Sequence, residues 1–194
     1  MTSPTPPLQL HAVSTPTSSL PRAPAQPQHV AVLLNRTAKR VSARLIRKIE
    51  RLVGKDHVYC STSLDEGEAH VREIVQKNYG TVIVGGGDGT LCRTINLAAN
   101  YIEEANQWRR EQHRRYGQPH PLLTMPHFAA LRLGTGNALR SLVGSQRPLR
   151  DLKQLLKQTQ HRLLPVPMIE SDNERFFFGG LGYDSLILND YNKL

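Results

Sequence analysis

Apolar positions change their spacing repeatedly between residues 29 and 164, and this pattern predicts alternating strands and helices. Strands are predicted from short apolar runs at 29–35, 57–61, 81–84 and 127–133. Amphipathic helices are predicted at 39–53, 69–79, 90–106, 137–143 and 149–158, and Gly80 is expected to end the second of them. Strands separated by helices in this order are joined by right-handed crossovers. The expected fold class is therefore α/β, with a three-layer, open, mainly parallel sheet and helices on both faces.

The two ends of the chain have different patterns. Residues 1–28 are rich in Pro, Ser, Thr and Gln, with Arg22 as their only charged residue, which predicts a disordered tail. After residue 165 the spacing of apolar residues becomes typical of strands. Residues 168–171 and 175–178 are predicted to form a hairpin with its turn at 172–174.

The third predicted strand runs directly into Gly85-Gly86-Gly87-Asp88-Gly89-Thr90. Glycine has no Cβ and tolerates positive φ, so such a loop can bring backbone N–H groups against a phosphate, and the following helix adds its N-terminus. An acid beside phosphates is expected to handle a metal ion, a metal-bound water or the proton of a hydroxyl. The loop therefore predicts phosphoryl chemistry, with a tight Asp-Gly turn as the structural alternative.

A second strand-to-glycine turn follows at Leu133-Gly134-Thr135-Gly136-Asn137. Together the two motifs resemble those of diacylglycerol and sphingosine kinases, whose fold relatives include the NAD kinases and phosphofructokinases. NAD kinases lack the second motif in this form, so the pair indicates a lipid kinase. Ala138 stands where many diacylglycerol kinases have Asp and sphingosine kinases have Ala, which leaves the acceptor lipid open.

Looser matches extend the resemblance over residues 29–194. Asn35 ends the first predicted strand, as does a nucleotide-contacting Asn of the family, although Arg36-Thr37-Ala38 replaces the family's Pro-x-Ser-Gly. Ser63 stands where the family has a Thr, and a simple helix N-cap explains it equally well. The resemblance also makes residues 165–194 the beginning of a second domain, an antiparallel β-sandwich, after a nucleotide-binding domain at 29–164. Whether the chain is a fragment, and whether it is active without that domain, stays open.

The resemblance implies an ATP-dependent lipid kinase that transfers the γ-phosphoryl group to the hydroxyl of a lipid alcohol, of diacylglycerol or sphingoid type, with ATP and Mg²⁺ as cofactors. Asp88 is the expected catalytic residue, and it is also expected to bind the metal through water. The expected nucleotide-binding residues are Asn35, Ser63, Gly86, Gly87, Gly89, Thr90, Thr135 and Asn137. The alternatives are a catalytically inactive nucleotide- or lipid-binding module and a soluble-metabolite kinase of the NAD kinase type.

Charge and cysteine content limit which partners and which cellular compartment are expected. The net charge of +9 suits anionic partners, but no nucleic-acid-binding pattern appears. Four arginines between Trp108 and Tyr116 form a cluster that suits an anionic membrane surface or, alternatively, the solvated end of a helix; they are Arg109, Arg110, Arg114 and Arg115. Cys60 and Cys92 have no metal-site spacing, and no apolar run approaches a membrane span. A cytoplasmic protein is expected, with peripheral contact at the inner membrane surface as an extension of that expectation, and the oligomeric state is not predicted.

Overall fold

The computed structural model describes residues 26–134, 147–157 and 163–178. Its strands are β1 (Gln26–Asn35), β2 (Val58–Ser61), β3 (Tyr79–Gly86), β4 (His127–Arg132), β5 (Ile169–Ser171) and β6 (Glu174–Phe176). Its helices are α1 (Ala43–Val53), α2 (Leu64–Gln76), α3 (Asp88–Tyr116) and α4 (Pro148–Lys157), with a short 3-10 turn at Lys55–His57. The predicted tail up to residue 25 and the predicted helix at 137–143 lie outside the described residues.

Strands β1 to β4 form one parallel sheet in the order β2-β1-β3-β4. The register places Val32 of β1 beside Val58 on one side and Ile83 on the other, and Ile83 beside Ala129 of β4. All eight residues of β3 are buried, as expected for a strand with neighbours and helices on every side. The chain moves outward from β1 to β2 and returns to the far side of β1 for β3. The order of strands therefore reverses between β1 and β3, where parallel sheets bind ligands at their carboxyl ends.

Two apolar cores lie on opposite faces of this sheet, which confirms the predicted three layers. Alternation along the strands sends Leu33 and Val84 to one face and Val32 and Ile83 to the other. The first core packs against α2 and α3, with buried Val71, Ile74, Val75, Leu91 and Ala98. The second packs against α1 and α4, with buried Ile49 and Leu152.

Two asparagine side chains on α3 form hydrogen bonds with the backbone of segments outside the parallel sheet. Asn106 donates from Nδ2 to the carbonyl of Leu123 (2.9 Å) and accepts from its N–H (2.8 Å), which holds the connection between α3 and β4. Asn96 makes the same pair of bonds to Arg175, each of 2.8 Å, and the Cys92 Sγ donates to the Arg175 carbonyl (3.0 Å). The β5–β6 hairpin is thereby attached to α3.

The hairpin confirms that strand pairing changes from parallel to antiparallel after the α/β unit. β5 and β6 pair antiparallel, with Glu170 opposite Arg175. Asp172 and Asn173 form the turn with φ of 51° and 64°, a left-handed conformation that these two residue types tolerate.

Several element bounds differ from the prediction. β1 begins at Gln26, inside the segment predicted as tail. α2 ends at Gln76, and Asn78 with φ 55° makes the following turn, so Gly80 lies in β3 and does not end the helix. α3 extends ten residues past the predicted end. The prediction missed these last turns because they lack an apolar stripe. Gly117, with φ 67°, ends the helix.

Candidate functional site

A cavity of about 390 Å³ opens at the reversal point of the strand order. It lies beside the carboxyl ends of β1 and β2 and the N-terminal turns of α2 and α3. Four residues predicted to bind nucleotide line it: Asn35, Ser63, Gly89 and Thr90. The remaining lining residues are Leu33, Thr37, Ser61, Thr62, Leu64, Gly67, Val71, Arg93, Thr94 and Leu97. Polar and apolar residues both line the cavity, so the site suits an amphipathic small molecule.

Asn35 is fixed by the turn that follows β1. Its Oδ1 accepts hydrogen bonds from the Thr37 N–H (2.9 Å) and the Thr37 hydroxyl (2.7 Å). Its Nδ2 donates to the Thr90 hydroxyl over 3.4 Å, which joins the end of β1 to the first turn of α3. Because this side chain makes its own turn, Asn35 keeps its place although the residues after it differ from the family pattern.

Ser63 is the N-cap of α2. Its hydroxyl accepts from the Glu66 N–H (3.1 Å), and Glu66 Oε2 accepts from the N–H and hydroxyl of Thr62, at 2.6 and 2.7 Å. These bonds resemble a capping box in which the Glu66 carboxylate accepts from the residue before the N-cap. The Thr62 N–H, followed by the Thr62 hydroxyl, holds the pKa of Glu66 below its ordinary value. The capping interpretation of Ser63 is confirmed, and the cap is also what brings Ser63 to the cavity wall.

The glycine loop needs glycine for close packing and not for backbone angles. Among the described residues the glycines with positive φ are Gly54 and Gly117, and Gly87 is extended with φ −97° and ψ −177°. A Cβ on Gly85 would overlap Leu34, and one on Gly86 would lie 2.5 Å from the Thr90 hydroxyl oxygen. The expectation that positive φ explains these glycines is therefore wrong.

Gly89 differs from the other loop glycines. It is the second residue of α3 and it lines the cavity, and a Cβ built there would meet no atom within 4 Å. The first backbone bond of the helix runs from the Leu91 N–H to the Gly87 carbonyl (3.2 Å). The amides of Gly89 and Thr90 precede that bond, so they have no acceptor inside the helix and can face an anion.

The second glycine turn packs directly on the first. The N–H groups of Leu133 and Gly134 both donate to the Gly86 carbonyl, at 3.3 and 2.8 Å. A Cβ on Gly134 would overlap the Gly87 Cα and lie 2.6 Å from the Gly87 nitrogen. The two motifs are thus one structural unit. Thr135 and Asn137, the predicted nucleotide contacts of the second motif, lie outside the described residues.

Asp88 begins α3 directly after the N-cap Gly87. A carboxylate in a first turn is favoured by the helix dipole. Asp88, Gly86 and Gly87 adjoin the cavity along the chain but are not among its lining residues. In the described part of the chain, no group of three or more His, Cys, Asp and Glu side chains could hold a metal. A single carboxylate fits Mg²⁺ only when phosphate oxygens and water complete its coordination, as is usual for nucleotide-bound Mg²⁺.

The sequence interpretation missed several cavity residues. Arg93, one helical turn after Thr90, lines the cavity, and so does the next residue, Thr94. Thr94 is buried, and its hydroxyl donates to the Thr90 carbonyl (2.7 Å). The three-residue spacing from Thr90 was the only available signal for Arg93, because positions three apart share a helix face.

The other predicted features lie away from the cavity. Arg109 donates to the Pro121 carbonyl (2.7 Å), and Arg115 pairs with Glu111 (2.6 Å), so two arginines of the cluster have partners within the protein. Cys60 and Cys92 are both free thiols, and burial raises the pKa of each. None of the described helices has the length and apolar character of a membrane span.

Comparison of the chain with protein-family models tests the family resemblance that the two glycine turns indicate. Residues 29–169 match the model of the diacylglycerol kinase catalytic domain, which is most of the chain. The chain belongs to this family. A search of curated proteins found no significant match. The matched segment contains β2, β3, β4 and most of β1, together with the cavity and both glycine turns.

Proposed function

We propose that this chain provides the nucleotide-binding part of an ATP-dependent lipid kinase, which transfers the γ-phosphoryl group to the hydroxyl of a diacylglycerol-type or sphingoid lipid. Membership of the diacylglycerol kinase catalytic-domain family supports the kinase class. The observation that carries the nucleotide site is the cavity that brings Asn35, Ser63, Gly89 and Thr90 together from three separate segments.

The cavity divides the proposed contacts into two groups. The amides of Gly89 and Thr90, the Thr90 hydroxyl and the Arg93 guanidinium supply donors and positive charge for phosphate oxygens. Leu33, Leu64, Val71 and Leu97 supply an apolar wall suited to a nucleobase. Asn35 positions Thr90 through its 3.4 Å bond and contributes an amide to the cavity wall.

Asp88 would hold a nucleotide-bound Mg²⁺ through water, and the ion would supply positive charge to the phosphates. The proposed role of Asp88, in the first turn of α3, is to bind a metal-bound water or to accept the proton of the lipid hydroxyl. The role of the protein in such a reaction is to align the nucleotide and to stabilise developing charge, because phosphoryl transfer passes through a loose transition state. Gly86, Gly87 and Gly134 hold the loop that carries Asp88 by their mutual packing.

Two other functions remain as alternatives. A catalytically inactive nucleotide- or lipid-binding module would have the same cavity without transferring phosphate. A soluble-metabolite kinase of the NAD kinase type would share the first glycine loop, but the family match favours the lipid kinase. Peripheral contact with an anionic membrane at the inner surface is part of the proposal, through the exposed residues Trp108, Arg114 and Tyr116.

Transfer of labelled phosphate separates these functions. The protein is incubated with γ-labelled ATP and Mg²⁺, together with diacylglycerol, ceramide, sphingosine or NAD. Label that appears in a lipid with the wild type, and that is lost when Thr90 or Arg93 is substituted, supports the proposal and identifies the acceptor. Label in NAD indicates the metabolite kinase. Nucleotide binding by calorimetry, without any labelled product, indicates the inactive module.

A further inference from the structure

A second cavity, of about 540 Å³, lies on the other face of the sheet. It is lined by the end of β4, the start of α1 and the residues that begin α4. Its walls contain Arg40, Leu45, Arg132, Leu133, Arg147, Pro148, Leu149 and Arg150. Leu45, Leu133 and Leu149 belong to the core between the sheet and α1 and α4, whereas Leu33 and Val71 of the nucleotide cavity belong to the opposite core. The two cavities are therefore on different faces, and one small ligand does not fill both.

Among the residues that the structure describes, four arginines and no acidic residue line this second cavity. The ion pairs found in the described part of the chain involve other residues, and none neutralises Arg40, Arg132, Arg147 or Arg150. Mutual repulsion of cations around one cavity costs free energy. An anionic ligand would relieve this repulsion.

The backbone adds positive potential at the same place. Arg147 precedes α4, and its carbonyl accepts the first bonds of the helix from Arg150 and Asp151, each of 2.9 Å. The positive end of the α4 dipole therefore lies at the cavity wall formed by Pro148 and Leu149. Asp151, the acid in this first turn, makes an interaction of its own and is not part of the wall.

We propose that this arginine cavity binds the phosphate group of a phosphate ester, separately from the nucleotide site. Guanidinium groups bind phosphate by paired hydrogen bonds. The apolar walls at Leu45, Leu133 and Leu149 suit a phosphate ester with an apolar body. Both a soluble phosphate ester and the headgroup of an anionic phospholipid have this chemistry.

The test measures binding of three probes to the full chain. Calorimetry is used for inorganic phosphate and for water-soluble short-chain phosphatidic acid. Co-sedimentation is used for phosphatidylcholine vesicles with and without phosphatidic acid. The variant is Arg147→Gln with Arg150→Gln, because both residues are exposed and their removal does not disturb the core. The matched control is Arg47→Gln with Arg51→Gln, which removes the same charge from exposed positions on α1 outside the cavity.

The cavity variant is expected to lose affinity by about tenfold or more, since each guanidinium–phosphate contact is a charge-assisted bond. The control variant is expected to bind within about twofold of the wild type, because exposed charges outside a site are largely screened. Binding of both soluble probes identifies a soluble phosphate ester as the ligand. Binding only to phosphatidic acid vesicles identifies a lipid headgroup. A second variant, Arg40→Gln, is expected to weaken either kind of binding while circular dichroism shows an unchanged fold.

Three outcomes overturn the inference. The first is the absence of binding to all three probes. The second is an equal loss of affinity in the cavity and control variants, which shows general charge attraction. The third is displacement of phosphate by a saturating Mg²⁺ complex of a non-hydrolysable ATP analogue, which places the phosphate in the nucleotide cavity. If the protein binds phosphate but no nucleotide, the proposed nucleotide site fails and the arginine cavity is still supported. The two proposals can therefore fail separately.

Discussion

The Gly134 N–H donates a 2.8 Å hydrogen bond to the Gly86 carbonyl and so joins the two glycine turns, which are 48 residues apart in sequence (134 − 86). Gly134 also packs against the backbone of Gly87, with no space for a side chain between them. The ends of β3 and β4 are therefore held together at the loop that leads into α3. Each glycine of this junction has a steric role that neither motif reveals alone.

Gly134→Ala is expected to destabilise the protein by about 1–3 kcal/mol, the usual cost of forcing a methyl group into a packed site. The added Cβ would overlap the Gly87 Cα, so the loop has to move. Denaturant unfolding measures the stability, and calorimetry measures Mg²⁺-ATP binding, which should weaken as well. Wild-type values for both would show that the junction relaxes without cost.

Gly89→Ala is expected to separate folding from binding. The new methyl group enters open space at the cavity wall, so the free energy of unfolding should change by less than about 1 kcal/mol. Nucleotide affinity should nevertheless fall, because the methyl group occupies the approach of a phosphate to the α3 amides. Unchanged ATP affinity in calorimetry would remove these amides from the proposed phosphate site.

Asp88→Asn is expected to keep the fold and to lower turnover about 10²-fold or more, the range for removing one acid–base or electrostatic group. Asn has nearly the same size and shape as Asp, and Gly87 remains the N-cap, so the first turn of α3 should persist. The measurement is phosphate transfer from labelled ATP to the acceptor lipid, with circular dichroism as the folding control. A fully active variant would make Asp88 a helix-start residue without a catalytic role.

Glu66→Gln is expected to reduce the pH dependence of stability. Hydrogen bonds from Thr62 lower the pKa of Glu66 from 4.5, so its ionised form stabilises the folded state above that pH. This contribution is lost as pH falls through the lowered pKa. The melting temperature of the wild type should exceed that of the variant at pH 7, and the difference should shrink toward pH 3.

Asp65→Asn is the matched control for that series, because it removes the same charge from the same helical turn without touching the Thr62 bonds. An equal pH-dependent difference in both variants would assign the effect to the helix dipole and not to the bonds of Glu66.

Substitution of Arg109, Arg110, Arg114 and Arg115 by Ala is expected to lower binding to phosphatidylserine vesicles by orders of magnitude, at about 1 kcal/mol for each charge. Arg110 and Arg114 share one side of α3, whereas Arg109 and Arg115 are bonded to Pro121 and Glu111. The Arg110/Arg114 double variant should therefore account for most of the loss. Sedimentation that shows no difference would make this segment a solvated helix end.

The sequence was sufficient for features that local patterns encode. Apolar spacing predicted the parallel sheet and its helices, since each element must bury one face. The glycine turns indicated the family, and the family model confirmed it. Ser63-Leu64-Asp65-Glu66 could also have been recognised as a capping box, because its bonds form within four residues. The end of α3 was missed because its last turns have no apolar stripe, so periodicity could not detect them.

Only the tertiary structure decided which distant residues meet. Asn35 reaches Thr90 because β1 and β3 are neighbours at the point where the strand order reverses. Arg40 and Arg147 line one cavity because α1 and α4 cover the same face of the sheet. Periodicity records which face of an element is buried but not which element covers it. The nucleotide cavity, the contact of the two glycine turns and the arginine cavity all depend on that pairing, which is set by packing between segments far apart in sequence.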